Sequence, residues 1–183
     1  IGVDYEAGGT PDFSGYGELV TALFKDQGYA LGFEPGRSII ANNGVLVTRV
    51  IHVKQGDGKR FLITDAAMND LLRPTLYEAY HNIVPVAAPG TPAGPADIVG
   101  PICETGDYLG LDRDLPEIAS GAQLAVLSAG AYGAVMASYY NSRSPAAELL
   151  VHDGNAHLLR AARPIEALIA DETIPDFTGI DGR

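Results

Sequence analysis

A β-branched run followed by a tight turn constrains the fold of this chain more than any other feature of its sequence. Residues 45–53 read Val-Leu-Val-Thr-Arg-Val-Ile-His-Val, and Gly56, Asp57 and Gly58 separate them from a second run at 59–65. β-Branched residues favour extended backbone, and a glycine-containing turn between two such runs is typical of a hairpin. The sequence therefore predicts a sheet that includes this hairpin.

Short apolar runs bounded by turn residues recur through the rest of the chain. They predict strands at 83–87, 96–100, 123–127, 148–152 and 156–160, the last two joined by a tight turn. A short helix or turn stopped by Pro74 is predicted at 69–73, brief helices at 133–140 and 164–170, and a surface loop at 87–96. Several short strands separated by turns favour a mainly β fold, closed into a barrel or stacked as a sandwich.

The first part of the chain has a different pattern. Apolar residues recur at helical spacing between Asp12 and Gly28, which predicts an amphipathic helix, and an apolar run at 29–33 predicts a strand. A helix followed at once by a strand is the order of an α/β barrel, and one such unit cannot fold alone. Because residue 1 is not Met and no signal-peptide pattern follows it, we interpret the chain as a fragment.

Charge and composition argue against several classes of function. The 183 residues include 12 basic and 23 acidic side chains, and the net charge of −11 repels the phosphates of nucleic acids and of anionic membranes. The single cysteine excludes an internal disulfide framework, and the four His residues lack the spacing of metal ligands. We therefore expect a cytoplasmic protein with no nucleic-acid partner, no membrane span and no metal site.

The string Glu34-Pro35-Gly36-Arg37 is the first candidate for a functional site. It places a carboxylate at the end of a predicted strand, then a glycine whose backbone can approach an anion closely, then a guanidinium that can bind phosphate or carboxylate. This combination suits a phosphorylated ligand with a cationic ring. The alternative, more common for an isolated string, is a Pro-Gly turn beside a solvated ion pair.

Arg73, Tyr77 and Tyr132 are further candidates. Arg73 and Tyr77 would share one helix face if the backbone were helical from Pro74 onward, and two Arg residues suit a substrate with two carboxylates. Tyr132 lies between small residues, where its ring could lie against a ligand. The alternatives are an Arg on a helix surface and a Tyr in the core.

Cys103 and Glu104 form the last candidate pair. A thiol close to acidic side chains keeps its proton, because nearby negative charge disfavours the thiolate, so Cys103 is better suited to proton donation than to nucleophilic attack. The alternative is a small buried side chain without a chemical role.

These candidates belong to four motifs, which in chain order are residues 34–37, 73–77, 103–107 and 130–134. Together and in this order, the four motifs resemble those of the fold-type III pyridoxal-phosphate decarboxylases that act on basic amino acids. Glu104 after the cysteine and the additional Arg73 are most similar to the diaminopimelate branch, since ornithine-type members have Asp after the cysteine and a substrate with one carboxylate. The resemblance implies that residues 37–183 form the C-terminal β-barrel or sandwich domain. Residues 1–36 would be a remnant, the last helix and strand, of the (β/α)8 barrel that binds the cofactor.

On the cofactor side, the resemblance implies that Glu34 pairs with the protonated pyridine nitrogen of pyridoxal phosphate. Gly36 and Arg37 would hold the phosphate and neighbouring substrate groups, and Tyr132 would contact both cofactor and substrate. The lysine that binds the cofactor covalently would lie outside this chain, whose three lysines are predicted on solvent-facing positions. We therefore expect the chain alone to be inactive.

On the substrate side, the resemblance implies that Arg73 and Tyr77 bind the far carboxylate of a small amino acid and that Glu104 accepts its far ammonium. Cys103 would be the catalytic proton donor. The resemblance also implies that Cys103 and Glu104 would reach the active site of a partner subunit, and hence a homodimer with shared sites. The implied reaction of the complete protein is the decarboxylation of meso-2,6-diaminopimelate to L-lysine.

Two alternatives remain open at this point. The chain could come from a relative that acts on ornithine, arginine or a carboxylated polyamine precursor, in which case Arg73 should matter little. It could also be a non-catalytic β-barrel module retained for dimerisation or for binding a partner. Intact polar residues in all four motifs favour the enzyme.

Overall fold

A computed structural model describes residues 2–6, 9–87 and 90–176 of the chain. Its residues form two compact units, Ile1–Ala137 and Ser138–Arg183. The α-helices are α1 (Phe13–Phe24), α2 (Arg37–Ile40) and α3 (Arg73–Tyr77), and short 3-10 turns occupy Ala41–Asn43, Ala134–Met136, Tyr140–Ser142 and Ile165–Leu168. The strands are β1 (Leu46–Gln55), β2 (Arg60–Thr64), β3 (Ile83–Pro85), β4 (Pro92–Val99), β5 (Tyr108–Pro116), β6 (Gln123–Val126), β7 (Glu148–His152) and β8 (Asn155–Arg160).

The first unit is built on one strongly curved sheet of six strands. Their order is β3-β6-β1-β2-β4-β5, with β2 and β4 parallel and every other neighbouring pair antiparallel. The two edge strands approach each other, since a Cβ added to Gly110 on β5 would lie 3.0 Å from Cδ1 of Ile83 on β3. The sheet is therefore nearly closed, which confirms the predicted mainly β, barrel-like fold.

The core of this unit lies inside the curved sheet. Burial alternates along β2, where Arg60, Leu62 and Thr64 are buried and the residues between them are not. The fully buried large apolar side chains are Val50, Leu62, Leu71, Ile98, Leu109, Leu124 and Val126. Burial of each stabilises the fold by about 1.5–3 kcal/mol before the entropy of ordering is subtracted. This core holds the loops at the sheet's edges in place.

Most of the predicted strands are confirmed. The hairpin of β1 and β2 forms as expected, with Gly58 at a φ of +70° in the turn. In the second unit β7 and β8 form the other predicted hairpin, with Asp153 and Gly154 at φ values of +48° and +75°. Left-handed backbone at both turn residues matches the twist of a two-stranded ribbon.

Three local predictions were wrong. The predicted strand at 29–33 is not part of any sheet, because no strand among the described residues pairs with its backbone. The short helix or turn predicted at 69–73 is a turn at 68–70, and Pro74 does not end a helix but lies in the first turn of α3, where the N–H that proline lacks is not needed. The predicted loop at 87–96 is shorter, because β4 begins at Pro92.

Strand β5 was not predicted. Its sequence, Tyr-Leu-Gly-Leu-Asp-Arg-Asp-Leu-Pro, contains three successive charged residues and no β-branched one. The strand forms because it pairs with β4, and because Asp97 Oδ1 accepts a hydrogen bond from the Asp112 backbone N–H at 2.8 Å, where β5 adopts a left-handed φ of +50°. Tertiary pairing overrides local propensity here.

Helix α1 begins where the sequence predicted and ends earlier. The Asp12 side chain caps it by accepting a hydrogen bond from the Gly15 N–H at 2.9 Å. The helix ends at Phe24, four residues before Gly28, whose φ is +69°. Within the described part of the chain, no helix is long and apolar enough to cross a membrane.

Candidate functional site

A cleft of about 590 Å³ in the first unit collects most of the predicted site residues. It is lined by Glu34, Pro35, Gly36, Arg37, Ser38, Arg73, Tyr77, Tyr132 and Met136. Three segments that are distant in sequence therefore form one wall each. Six of the eight predicted site residues meet here, and only Cys103 and Glu104 lie elsewhere.

The first wall is the turn that leads into α2. Gly36 is the residue before the helix, and a Cβ added to it would meet nothing within 4 Å, so open space adjoins its backbone. Glu34 and Arg37 are both exposed, and no ion pair between them is present among the residues described. The solvated ion pair considered as an alternative is thus not formed, and both charges remain available to a ligand.

The second wall is α3, which begins at Arg73 and ends at Tyr77, four residues later on the same face. The two side chains differ sharply in exposure: Tyr77 is 61% exposed, whereas Arg73 is 8% exposed. The Arg73 guanidinium carbon lies 4.7 Å from the ring centre of Tyr5, and Nη1 lies 2.9 Å from Nε2 of His81. Arg73 is therefore held in a fixed position at the cleft.

His81 is a buried neighbour of Arg73 to which the sequence analysis gave no role. It is fully buried and lies with its Nδ1 2.9 Å from the carbonyl oxygen of Leu127. Burial lowers the pKa of His81, and the positive charges of Arg73 and Arg113 lower it as well, against the opposing effect of the Leu127 hydrogen bond. No sequence signal marked this residue, because its contacts depend on tertiary packing.

The third wall carries Tyr132, which is 47% exposed and has a left-handed φ of +59°. The loop before it packs directly on the end of α2, where the Gly130 N–H donates to the Ala41 carbonyl at 3.0 Å. A Cβ at Gly130 would lie 2.0 Å from the Ile40 carbonyl oxygen, so only glycine allows this approach. The close packing brings Tyr132 beside the Arg37 wall.

Cys103 and Glu104 lie on a separate, exposed loop between β4 and β5. The buried carboxylate of Asp107 anchors the loop by accepting hydrogen bonds from the N–H groups of Ile102 and Met68, both at 2.7 Å. Thr75 Oγ1 on α3 donates to the Gly106 carbonyl at 2.5 Å. The loop is thus firmly attached to the helix that carries Arg73, yet its thiol is outside the cleft.

The cleft has the chemistry of an anion-binding site. It presents two guanidinium groups, one carboxylate and two phenols, so it can hold a ligand with several negative oxygens and one cationic nitrogen. This donor set fits pyridoxal phosphate bound together with an amino acid. Within the described ranges, no group of three or more His, Cys, Asp or Glu side chains is arranged to hold a metal ion.

Comparison with known proteins gives one family. A model described as the C-terminal sheet domain of pyridoxal-dependent decarboxylases matches residues 16–130. The diaminopimelate decarboxylase of Zymomonas mobilis is 48% identical over 162 residues, 88% of this chain and 38% of that protein. The diaminopimelate decarboxylase of Aquifex aeolicus is 51% identical over 143 residues, 78% of this chain and 34% of that protein.

A solved structure of a diaminopimelate decarboxylase is also similar to this chain. The crystal structure of diaminopimelate decarboxylase from Helicobacter pylori complexed with L-lysine matches with a TM-score of 0.84 and 40% identity, covering 93% of this chain and 42% of that one. The chain spans less than half the length of each of these relatives.

Proposed function

Since the chain belongs to the pyridoxal-dependent decarboxylase family, whose C-terminal sheet domain it contains, we propose that it forms the substrate-recognising part of a diaminopimelate decarboxylase. The complete protein would convert meso-2,6-diaminopimelate to L-lysine and CO₂. The observation that carries this proposal is the cleft in which Arg37 and the buried Arg73 line the same space. Two guanidiniums in one cleft suit an amino acid with two carboxylates.

Glu34, Gly36 and Arg37 are the residues that would hold the cofactor. The Glu34 carboxylate can pair with a protonated ring nitrogen, and the open space at Gly36 lets the backbone approach a phosphate. When bound, pyridoxal phosphate supplies an electron sink for the electron pair that the departing carboxylate leaves behind. The contribution of these residues is orientation and electrostatics.

Arg73, Tyr77 and Tyr132 would hold the substrate, together with Arg37, which would bind substrate groups next to the phosphate as well as the phosphate itself. The guanidinium of Arg73 is fixed before the ligand arrives, so it can bind the far carboxylate with little ordering cost. Tyr77 is exposed one helical turn away and can donate its hydroxyl to the same carboxylate. Tyr132, on the wall next to α2, would contact both substrate and cofactor.

Cys103 and Glu104 would serve the cleft of a partner subunit. They are exposed, and the loop that carries them is anchored by Asp107, which suits groups that must reach a neighbouring molecule in a fixed geometry. The Cys103 thiol would donate its proton to the carbon that has lost CO₂, and solvent would then restore it. Glu104 would accept the far ammonium. The arrangement proposed is therefore a homodimer with two shared sites.

The chain alone would not catalyse this reaction. No lysine lines the cleft, and Lys59 pairs with Asp97 at 2.9 Å and with Asp112 at 3.0 Å on the sheet. Residues 1–36 would belong to a cofactor-binding barrel. In support, α1 and residues 29–35 line an apolar groove of about 610 Å³ with half-exposed aromatic side chains, including Phe13, Tyr16 and Phe33.

A substrate panel tests the proposed function directly. The complete protein should decarboxylate meso-diaminopimelate and have little activity with ornithine, arginine or a carboxylated polyamine. Arg73→Ala should raise the KM for diaminopimelate by about tenfold to a hundredfold, because a hydrogen-bonded charge pair is lost. Preference for ornithine, with a KM unaffected by Arg73→Ala, would instead support a related decarboxylase, and no activity on any of them would support a non-catalytic module.

A further inference from the structure

The position of Arg73 is determined by two side chains outside the cleft. His81 lies beside the guanidinium with its Nε2 2.9 Å from Nη1, and the ring of Tyr5 lies against the guanidinium, 4.7 Å from its central carbon. Neither His81 nor Tyr5 lines the cleft. The two rings also contact each other edge to face, with their centres 5.0 Å apart.

The hydrogen bonds around His81 specify its protonation state. A carbonyl oxygen can only accept, so the Leu127 contact at 2.9 Å requires a hydrogen on Nδ1. A guanidinium can only donate, so the Arg73 contact requires a lone pair on Nε2. Both bonds form together only when the imidazole is neutral, with its proton on Nδ1. A protonated ring would lose the Arg73 bond and repel that guanidinium.

The backbone keeps this arrangement in register. The Asn82 N–H donates to the Tyr5 carbonyl at 3.2 Å, so the chain next to His81 is bound to the segment that supplies the aromatic ring. The Leu127 N–H donates to the Asn82 carbonyl at 2.8 Å, which joins the third segment. With Arg73 8% exposed and His81 fully buried, water does not compete for these bonds.

We propose that His81 is a positioning residue that holds the Arg73 guanidinium in the geometry needed to bind the far carboxylate of the substrate. Tyr5 assists by stacking against the same guanidinium. This inference rests on the proposed function of Arg73. It assigns to His81 the selection of substrates with a second carboxylate, although His81 itself does not touch the substrate.

Two substitutions of His81 in the complete protein test its hydrogen bonds to Arg73 and to Leu127 one at a time. His81→Gln can still present an oxygen to Arg73, whereas His81→Asn keeps a donor for Leu127 but is too short to reach the guanidinium. We expect His81→Asn to raise the KM for meso-diaminopimelate at least tenfold with a smaller fall in kcat, and His81→Gln to restore most of the affinity. Equal KM values for the two variants would overturn the proposal.

His52 offers a matched control, and substitutions of Tyr5 test the part assigned to its ring. His52 on β1 is exposed, so His52→Gln should leave the KM unchanged. The Tyr5 hydroxyl is buried and has no hydrogen-bond partner among the described residues, so Tyr5→Phe, which keeps the ring, should behave as wild type. Tyr5→Leu removes the stacked ring and should raise the KM. An unchanged KM in Tyr5→Leu would show that the Tyr5 ring does not help to position Arg73.

A double-mutant cycle separates this inference from the proposed function. If His81 acts through Arg73, His81→Asn should have no further effect on the KM once Arg73→Ala is present. Independent, multiplied effects would mean that His81 has only a general structural role, and the inference would fail. If Arg73→Ala alone leaves the KM unchanged, the proposed role of Arg73 fails instead.

Discussion

The cleft and the Cys103 loop are constructed in different ways. The cleft draws its side chains from three distant segments, which the tight packing of Gly130 on α2 and the start of α3 bring together. Cys103 and Glu104 are neighbours on one loop, anchored by Asp107 and by Thr75. The difference supports the proposal that the cleft would bind the substrate, while the exposed loop with Cys103 and Glu104 would serve a second molecule.

Among substitutions that distinguish the cleft from the Cys103 loop, Cys103→Ala in the complete protein should cause the largest loss of turnover. Removing a general acid lowers turnover by about a hundredfold or more. The absorbance of the bound cofactor and the KM should change little, because the thiol is not among the groups proposed to hold the cofactor or the carboxylates of the substrate. Normal turnover in this variant would remove Cys103 from the mechanism.

Asp107→Ala should disrupt the loop without disrupting the cleft. Two backbone N–H groups would lose a charged acceptor at a buried position, which should reduce the free energy of unfolding by about 2–4 kcal/mol. Turnover should fall with it, while cofactor affinity is retained. Asp114→Ala, at an exposed position of β5, is the matched control and should cost less than about 0.5 kcal/mol in denaturant unfolding.

Gly130→Ala should have the opposite effect to Asp107→Ala: it should disrupt the cleft and leave the Cys103 loop intact. A Cβ 2.0 Å from the Ile40 carbonyl forces the Tyr132 loop away from α2, at a cost of about 1–3 kcal/mol. Affinity for cofactor and substrate should weaken, whereas the rate at which a thiol reagent modifies Cys103 should not change. Unchanged cofactor affinity would show that the packing of these two walls does not shape the cleft.

A smaller effect should appear in the pH dependence of stability. Burial lowers the pKa of His81 below the 6.5 of an unfolded histidine, so the unfolded chain binds more protons between the two values. The contribution of His81 to stability is therefore complete above pH 6.5 and is lost as the pH falls toward its lower folded pKa. Thermal unfolding from pH 8 to pH 5 should show a smaller decline in His81→Gln than in wild type.

The parts of the candidate site that could be predicted are those that lie within one short segment of the sequence. Glu34 to Arg37 and the pair Arg73 and Tyr77 could be predicted because their spacing within a turn or a helix determines which side chains lie together. That these segments come together to form one cleft could not be predicted, since it depends on tertiary contacts such as that of Gly130 with Ile40. His81 was missed for the same reason.

The fold shows a similar division. Hairpins joined by short turns were predicted well, because both strands and the turn are adjacent in sequence. β5 was missed since its charged segment forms a strand only through pairing with β4. The run at 29–33 has strand composition but no neighbouring strand among the described residues, and composition alone does not make a sheet.

Subunit complementation tests the central claim most directly, namely that the cleft of one chain is completed by the Cys103 loop of another. Arg73→Ala and Cys103→Ala copies of the complete protein, each weak alone, would be co-expressed and their activity on meso-diaminopimelate measured. Random pairing gives about half mixed dimers, each with one intact site of two, so activity should recover to about a quarter of wild type. No recovery, with mixed dimers present, would contradict the shared site.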